Sequence, residues 1–225
     1  MVVQFDGHSS TEVVSRSDVL ATGSARPSTG RQPESEFSSE RDEAQREMVD
    51  RSVQQMIDAA FEELWTENGG GHNGQPHDGV ARSCLAQFID RSEILSTLLD
   101  DPRILGIATS LLGEDFNYMG SDGNYYVGDT GWHSDGWHEE ILHIKIAFYL
   151  DSLTDQTGCL RVIPGSHQPS DSYAGELSKQ IRKSQELWGI ERAKIPAVAF
   201  ETQPGDVVCF NHNIKHAALA AGCSL

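Results

Sequence analysis

The chain changes its periodicity near residue 113, and that change bounds what it can fold into. Before it, apolar residues recur at spacings of three and four: Met48, Val49, Val53, Met56, Ile57, Ala60, Phe61, Leu64 and Trp65. Such spacing gathers them on one face of a helix. Ser38 or Ser39 suits its start, Asp42 its first turn, and Asn68 with Gly69–Gly71 its end. Residues 85–112 read as two more helices split at Asp100-Asp101-Pro102, with Asp101 as cap and proline in the first turn. From Phe116 the runs are aromatic and β-branched: NYMGSDGNYYV, ILHIKIAFYL, GCLRVIPG, AVAFET and GDVVCFNH. Gly, Asp and Pro separate them, which predicts short strands joined by turns. Helices first and strands afterwards imply an α+β, mainly β fold, an antiparallel sandwich or barrel with helices on one face. Residues 171–194 interrupt the strands with a polar, partly helical insertion, an excursion of the kind that forms a lid or substrate loop.

Residues 1–37 are dominated by Ser, Thr, Gly, Pro and charge, too few apolar groups to offset the entropy of ordering them. They predict a poorly ordered tail. One domain then covers 38–225, with helices in 38–113 and the β core in 114–225. The 34 acidic and 17 basic residues give a formal charge of −17. That surface repels phosphate backbones and anionic lipid, which argues against nucleic-acid or membrane-surface partners. No apolar run approaches the ~20 residues of a spanning helix, and residues 1–30 lack a signal-peptide core. Cys84, Cys159, Cys209 and Cys223 lie far apart with no CxxC pair. A reducing compartment, and hence a cytoplasmic location, is the expectation.

The densest chemical signal is Gly131-Trp132-His133-Ser134-Asp135-Gly136. A His and an Asp two residues apart on a strand project to the same side. One imidazole nitrogen and one carboxylate oxygen can then reach one metal ion. The third ligand must come from elsewhere, and Gly205–His216 offers His212 and His216 after a buried strand. Two His plus one carboxylate on one face of an octahedral ion is the arrangement of non-haem Fe(II) oxygenases. A lone HxD triplet arises often by chance. One followed 83 positions later (216 − 133) by a Gly-Asp-strand-His segment, in a β-rich chain, is far more specific.

Further runs carry a resemblance. His133-Ser134-Asp135, Tyr149-Leu150-Asp151, the run TGCLRVIPGSH over 157–167, and Gly205-Asp206 through His216 resemble the phytanoyl-CoA dioxygenase family in order and spacing. The resemblance covers residues 80–225. It implies a double-stranded β-helix (a cupin-like jelly roll) with flanking N-terminal helices. It also implies an Fe(II)/2-oxoglutarate-dependent dioxygenase in which His133, Asp135 and His216 bind the iron and carry catalysis. The family's phase places the distal histidine six residues after Phe210, which selects His216 over His212. The implied reaction hydroxylates a small or lipid-like organic substrate with O₂ and releases succinate and CO₂. Related halogenases carry a small residue in place of the carboxylate, so Asp135 argues against halogenation. The other histidines read more plainly. His212 stands beside the site, His167 fixes the PGSH turn, His138 faces solvent or touches substrate with His143, and His72 and His77 carry no signal. Cys209 reads as a small core residue.

The chain departs from the family after His216. An arginine shortly beyond the distal histidine anchors the far carboxylate of 2-oxoglutarate in the family, and HAALAAGCSL contains no basic residue. The family's fold also continues with another strand. The expectation is therefore a fold lacking its last strand, either because the chain is a shortened form or because something else covers that sheet edge. Lys145 is the candidate 2-oxoglutarate-binding replacement. Alternation along ILHIKIAFYL puts Lys145 with His143, Ala147 and Tyr149 on one face and Ile144, Ile146 and Phe148 on the other. An inward Lys145 supplies the counter-charge; an outward one is an edge-strand gatekeeper. Two rival functions stand beside the oxygenase: a catalytically inactive β-helix module that binds a ligand or partner, and a cupin-like metalloenzyme that does not use 2-oxoglutarate.

Overall fold

The computed structural model describes residues 2–8, 19–22, 54–67, 83–125, 129–168 and 170–219. Their strands form two antiparallel sheets. The larger contains β1 (Val2–His8), β2 (Val19–Thr22), β3 (Ser83–Ala86), β4 (Phe116–Tyr125), β5 (Ile141–Phe148) and β8 (Val207–Asn211), in the order β2-β8-β5-β1-β4-β3. The smaller contains β6 (Leu160–Val162), β7 (Val198–Phe200) and β9 (His216–Ala218), in the order β7-β6-β9.

Side-chain alternation sorts the apolar residues into layers. Ala147 of β5, Val208 and Phe210 of β8, Leu160 and Val162 of β6, and Ile214 fill the space between the sheets. Ile144, Ile146 and Phe148 of β5, with Cys209 of β8, face the other way. There they meet Ile57, Ala60, Phe61, Leu64 and Trp65 of helix α1 (54–67), and Ile104, Ala108 and Leu112 of helix α3 (Pro102–Leu112). Each fully buried Phe, Leu or Ile of this layer contributes roughly 1.5–3 kcal/mol. Met56 is the exception within the expected stripe of α1: it is 53% exposed. The outer face of the smaller sheet is covered by the 171–194 insertion, where helices α4 (Ser172–Gln180) and α5 (Ser184–Trp188) lie. Leu177, Ile181 and Ile195 pack there on Trp132, Ile163, Ala217 and Leu219.

The five predicted strand runs are all strands, and α3 begins and ends where Asp101-Pro102 and Gly113 predict. Asp101 Oδ1 accepts from the Arg103 backbone N–H at 2.8 Å, and Gly113 takes φ +87°. The predicted helix before it is broken up. Helix α2 (Glu93–Ser96) is one turn long, set between the 3₁₀ turns Ile89–Arg91 and Thr97–Leu99. Ser92 adopts an extended backbone and caps Leu95, while Phe88, Ile89 and Leu95 are fully buried, so core packing overrides helical continuity. The predicted helix start at Ser38 or Ser39 and its stop at Asn68–Gly71 lie outside the described residues. No described helix is long and apolar enough to cross a membrane.

The expected tail needs correction at two places. Val2–His8 and Val19–Thr22 are strands of the larger sheet. β1 pairs with β4 on one side and β5 on the other, and Phe5 is 2% exposed against Phe116 and Tyr118. β2 pairs with β8. A ready ladder on both sides supplies the hydrogen bonds that this polar segment lacks on its own. The rest of 1–37 lies outside the described residues.

Candidate metal centre

The segment from Thr130 to Asp135 runs antiparallel to residues 212–218. Thr130 N–H donates to the Ala218 carbonyl (2.8 Å), His133 and His216 exchange both backbone hydrogen bonds (3.1 and 2.9 Å), and Asp135 N–H donates to the His212 carbonyl (3.2 Å). His133 therefore stands opposite His216, with ring centroids 4.4 Å apart. Asp135, two residues further on, points to the same side. The structure thus brings His133, Asp135 and His216 together, each offering one ligand atom to a common point.

The imidazoles are oriented from behind. His133 Nδ1 lies 2.7 Å from the Gly131 carbonyl oxygen, and His216 Nδ1 lies 3.0 Å from that of Ile214. A carbonyl only accepts, so each Nδ1 carries a proton, and in the neutral ring Nε2 is then the nitrogen with the lone pair. Those Nε2 atoms face Asp135 at 3.7 Å (His133 to Oδ1) and 3.3 Å (His216 to Oδ2). Neighbouring ligand atoms on an ion with bonds of about 2.1 Å lie about 3 Å apart, so little movement is needed to close on a cation. Asp135 Oδ2 is buried and accepts no well-directed hydrogen bond. A donor set of two imidazoles and one carboxylate fits a divalent transition metal.

Burial opposes ionisation of Asp135, but His216, Lys145 and His133 outweigh it and hold the carboxyl below its ordinary range. Burial pushes the His216 imidazole down to about 4, against the pull of Asp135. At neutral pH these two groups are an ionised carboxylate and a neutral imidazole, the forms that bind a cation.

Lys145 points inward, with His143 and Ala147 on the face that alternation predicts. It is 8% exposed, and Gln4 and Phe210 stand opposite it in register. Its Nζ lies 2.8 Å from Asp135 Oδ2, off the hydrogen-bonding direction. The lysine is therefore part of the centre, and its partner is the carboxylate of the triad.

His212 lies apart from the triad. Burial pushes it down to about 4, and its ring joins His138 and His143 in a separate group. The solvent-facing reading of His138 is corrected: it is half-buried, its N–H donates to Asn213 Oδ1, and Asn213 Nδ2 donates to its carbonyl. The PGSH turn is tied by Ser166, whose hydroxyl donates to the Ile163 carbonyl and accepts from the Lys215 N–H, while His167 is buried nearby.

Sequence reasoning missed Asn213 and Lys215. Asn213 is 4% exposed and clamps the loop after Asp135 onto the end of β8. Lys215 is 6% exposed, donates to Ser134 Oγ at 2.7 Å and lies 5.2 Å from the Trp137 ring centroid. Ser134 Oγ in turn donates to the Asn213 carbonyl. These contacts lock the residue between the two ligands of the HxD triplet. The signal was the run Asn211-His212-Asn213, polar residues placed directly after an apolar strand.

Residues 74–221 match the family described as Phytanoyl-CoA dioxygenase (PhyH). An ectoine dioxygenase of Sphingopyxis alaskensis is 30% identical over 165 residues, covering 63% of this chain and 53% of that protein. The chain thus spans about half the length of the curated relatives it matches. Among solved structures, the non-heme alpha ketoglutarate dependent carbocyclase SnoK from nogalamycin biosynthesis superposes with TM-score 0.55 and 25% identity, covering 77% of this chain and 71% of that one. AviO1 from Streptomyces viridochromogenes Tue57 shares the fold at TM-score 0.52 and 18% identity, covering 77% of this chain and 80% of that one. With the HxD triplet, the distal histidine and the sheets that hold them in place, the chain belongs to the phytanoyl-CoA dioxygenase (PhyH) family.

Proposed function

We propose that this chain is an Fe(II)/2-oxoglutarate-dependent dioxygenase, built on a double-stranded β-helix, that hydroxylates a small or lipid-like organic molecule. The convergence of His133 Nε2, Asp135 and His216 Nε2, with both Nδ1 protons directed to backbone carbonyls, carries this reading. His133, Asp135 and His216 would hold Fe(II) on one face. With 2-oxoglutarate and O₂, bound iron supplies the oxidising power for C–H hydroxylation, with succinate and CO₂ as co-products.

The chain's own residues set the conditions for that chemistry. Asp135 brings one negative charge to a half-buried site. Lys145 brings one positive charge beside it. A dication, a dianionic acid, this carboxylate and this ammonium sum to neutrality, so the loaded site buries no net charge. The unloaded site, holding the carboxylate and ammonium alone, is also balanced. Lys145 is accordingly the counter-charge assigned to 2-oxoglutarate. The ectoine dioxygenases among the relatives support a small organic substrate.

The test is succinate formation by the full chain with Fe(II), 2-oxoglutarate and air. Wild type is expected to form succinate and Asp135→Ala to form none. One observation favours the rival ligand-binding module: Lys145 already occupies the neighbourhood of Asp135 Oδ2, where it opposes an incoming cation. Wild type that folds yet neither binds Fe(II) nor forms succinate would overturn the oxygenase reading.

A further inference from the structure

Three imidazoles outside the triad meet at the same end of the larger sheet. His143 is on β5, two residues before Lys145 and on the same face. His212 directly follows β8, and its N–H donates to the His143 carbonyl at 2.9 Å. His138 is on the loop after the HxD triplet, clamped by Asn213. All three are half-buried, and their ligand atoms lie within 4.8 Å of one another.

From this geometry we infer a second metal site, in which His138, His143 and His212 bind a divalent cation of the zinc class. His138 Nε2 and His212 Nδ1 are 3.3 Å apart. That is the separation of two nitrogens on a tetrahedral ion with bonds of about 2.0–2.1 Å. Two imidazole nitrogens at this distance share one proton, and a cation that replaces it is held by both lone pairs. The His143 ring stacks on His138 with centroids 3.7 Å apart and planes 8° apart. The His143 ligand nitrogen lies within 4.8 Å of the other two, so it would reach the same ion once the stacked rings turn apart.

The backbone keeps this space open. A Cβ at Gly136 would lie 2.3 Å from His138 Nε2 and 2.6 Å from His212 Nδ1. Any side chain there would drive the two nitrogens apart. Glycine at 136 therefore leaves room for the approach of the two imidazoles, and the loop is held against them by the hydrogen bonds of Asp135 and Gly136 to the His212 carbonyl. Three neutral nitrogen ligands with no carboxylate among them suit zinc, copper or nickel, in contrast to the mixed nitrogen–oxygen set of the triad. Three protein ligands also leave a fourth position for water or a substrate group.

The test titrates the full chain with Co(II), whose visible spectrum reports coordination number, since four-coordinate Co(II) absorbs far more strongly than six-coordinate. Wild type is expected to bind two Co(II) per chain and to show the intense four-coordinate band. His143→Gln and His138→Gln should each bind one ion and lose that band. Asp135→Ala should bind one ion and keep it. Loss of one imidazole should weaken the second site at least tenfold, since even outer partners of a ligand cost about 10–100-fold. One ion per chain in wild type without the four-coordinate band, or two in both histidine variants, overturns the assignment. If the variants fail to fold, the wild-type spectrum decides: without the four-coordinate band the second site does not exist.

Discussion

Replacing Lys145 by Met separates the two charges at the centre of the site and should move three measurements in different directions. The Nζ–Oδ2 distance of 2.8 Å corresponds to a Coulomb attraction of about 6 kcal/mol at an effective dielectric of 20. Desolvation offsets much of it, and removing one partner of a buried pair costs about 3–5 kcal/mol. Both side chains keep some contact with water, at 10% and 17% exposure, which places this pair at the lower end. The metal-free variant should lose about 3 kcal/mol of stability. A bound dication satisfies Asp135 in place of the lysine. With metal, only a volume-conserving swap is left, costing under about 1.5 kcal/mol. By linkage the remaining ~1.5 kcal/mol appears as metal affinity, roughly tenfold tighter in the variant. Affinity for 2-oxoglutarate should move the other way and fall at least tenfold, because its far carboxylate loses the counter-charge. Urea denaturation with and without Mn(II), and calorimetry with Mn(II) and then 2-oxoglutarate, measure all three. Equal stability loss with and without metal, together with unchanged Mn(II) affinity, would refute the pairing. Unchanged 2-oxoglutarate affinity would remove Lys145 from the co-substrate site.

Asp101→Ala should cost about 1 kcal/mol by loss of the α3 cap. The Asp101 carboxyl is held below its ordinary value chiefly by the Arg103 side chain. Its stabilisation is therefore complete above the unfolded value of 3.8 and lost as pH falls through the lower folded value, so wild type and variant should converge in acid. Burial raises the Cys159 thiol and pushes Cys209 up to about 12. Iodoacetamide should therefore label Cys84 before either, and rapid labelling of Cys209 in native protein would contradict its place under α1. Phe5→Ala should cost about 3–5 kcal/mol, measured by thermal unfolding. Deleting residues 1–8 should abolish cooperative unfolding, and a normal transition in that truncation would show that β1 is dispensable.

The chemistry was more legible in the sequence than the structure that supports it. His133 and Asp135 share a side because strand geometry has a period of two, and the same rule puts Lys145 on one face with His143 and Ala147 while leaving open whether that face points inward. Their pairing with His216 needed only a second strand end. The supporting contacts were hidden because they join positions 75 to 81 residues apart: Asn213 to His138, and Lys215 to Ser134. Nothing local distinguishes an asparagine that clamps a loop from one that ends a strand. Likewise, residues 85–112 read as two helices, yet Phe88, Ile89 and Leu95 are buried in the core and the first of the two is broken into short turns.

The expected tail fails at Val2–His8 for a physical reason of the same kind. Composition asks whether a segment can bury enough of its own surface to offset ordering, and this segment cannot. β1 does not have to. It enters between β4 and β5, where both of its edges find hydrogen-bond partners, and its Phe5 joins the buried layer under α3. Its register also bears on the site. Gln4 stands opposite Lys145 and Asp6 opposite His143. A one-residue slip of a strand turns its side chains to the opposite face. Slippage of β1 would send Phe5 into the space beside Lys145 and remove it from the outer core. The burial of one phenylalanine outside the site therefore helps fix the surroundings of the lysine that faces Asp135.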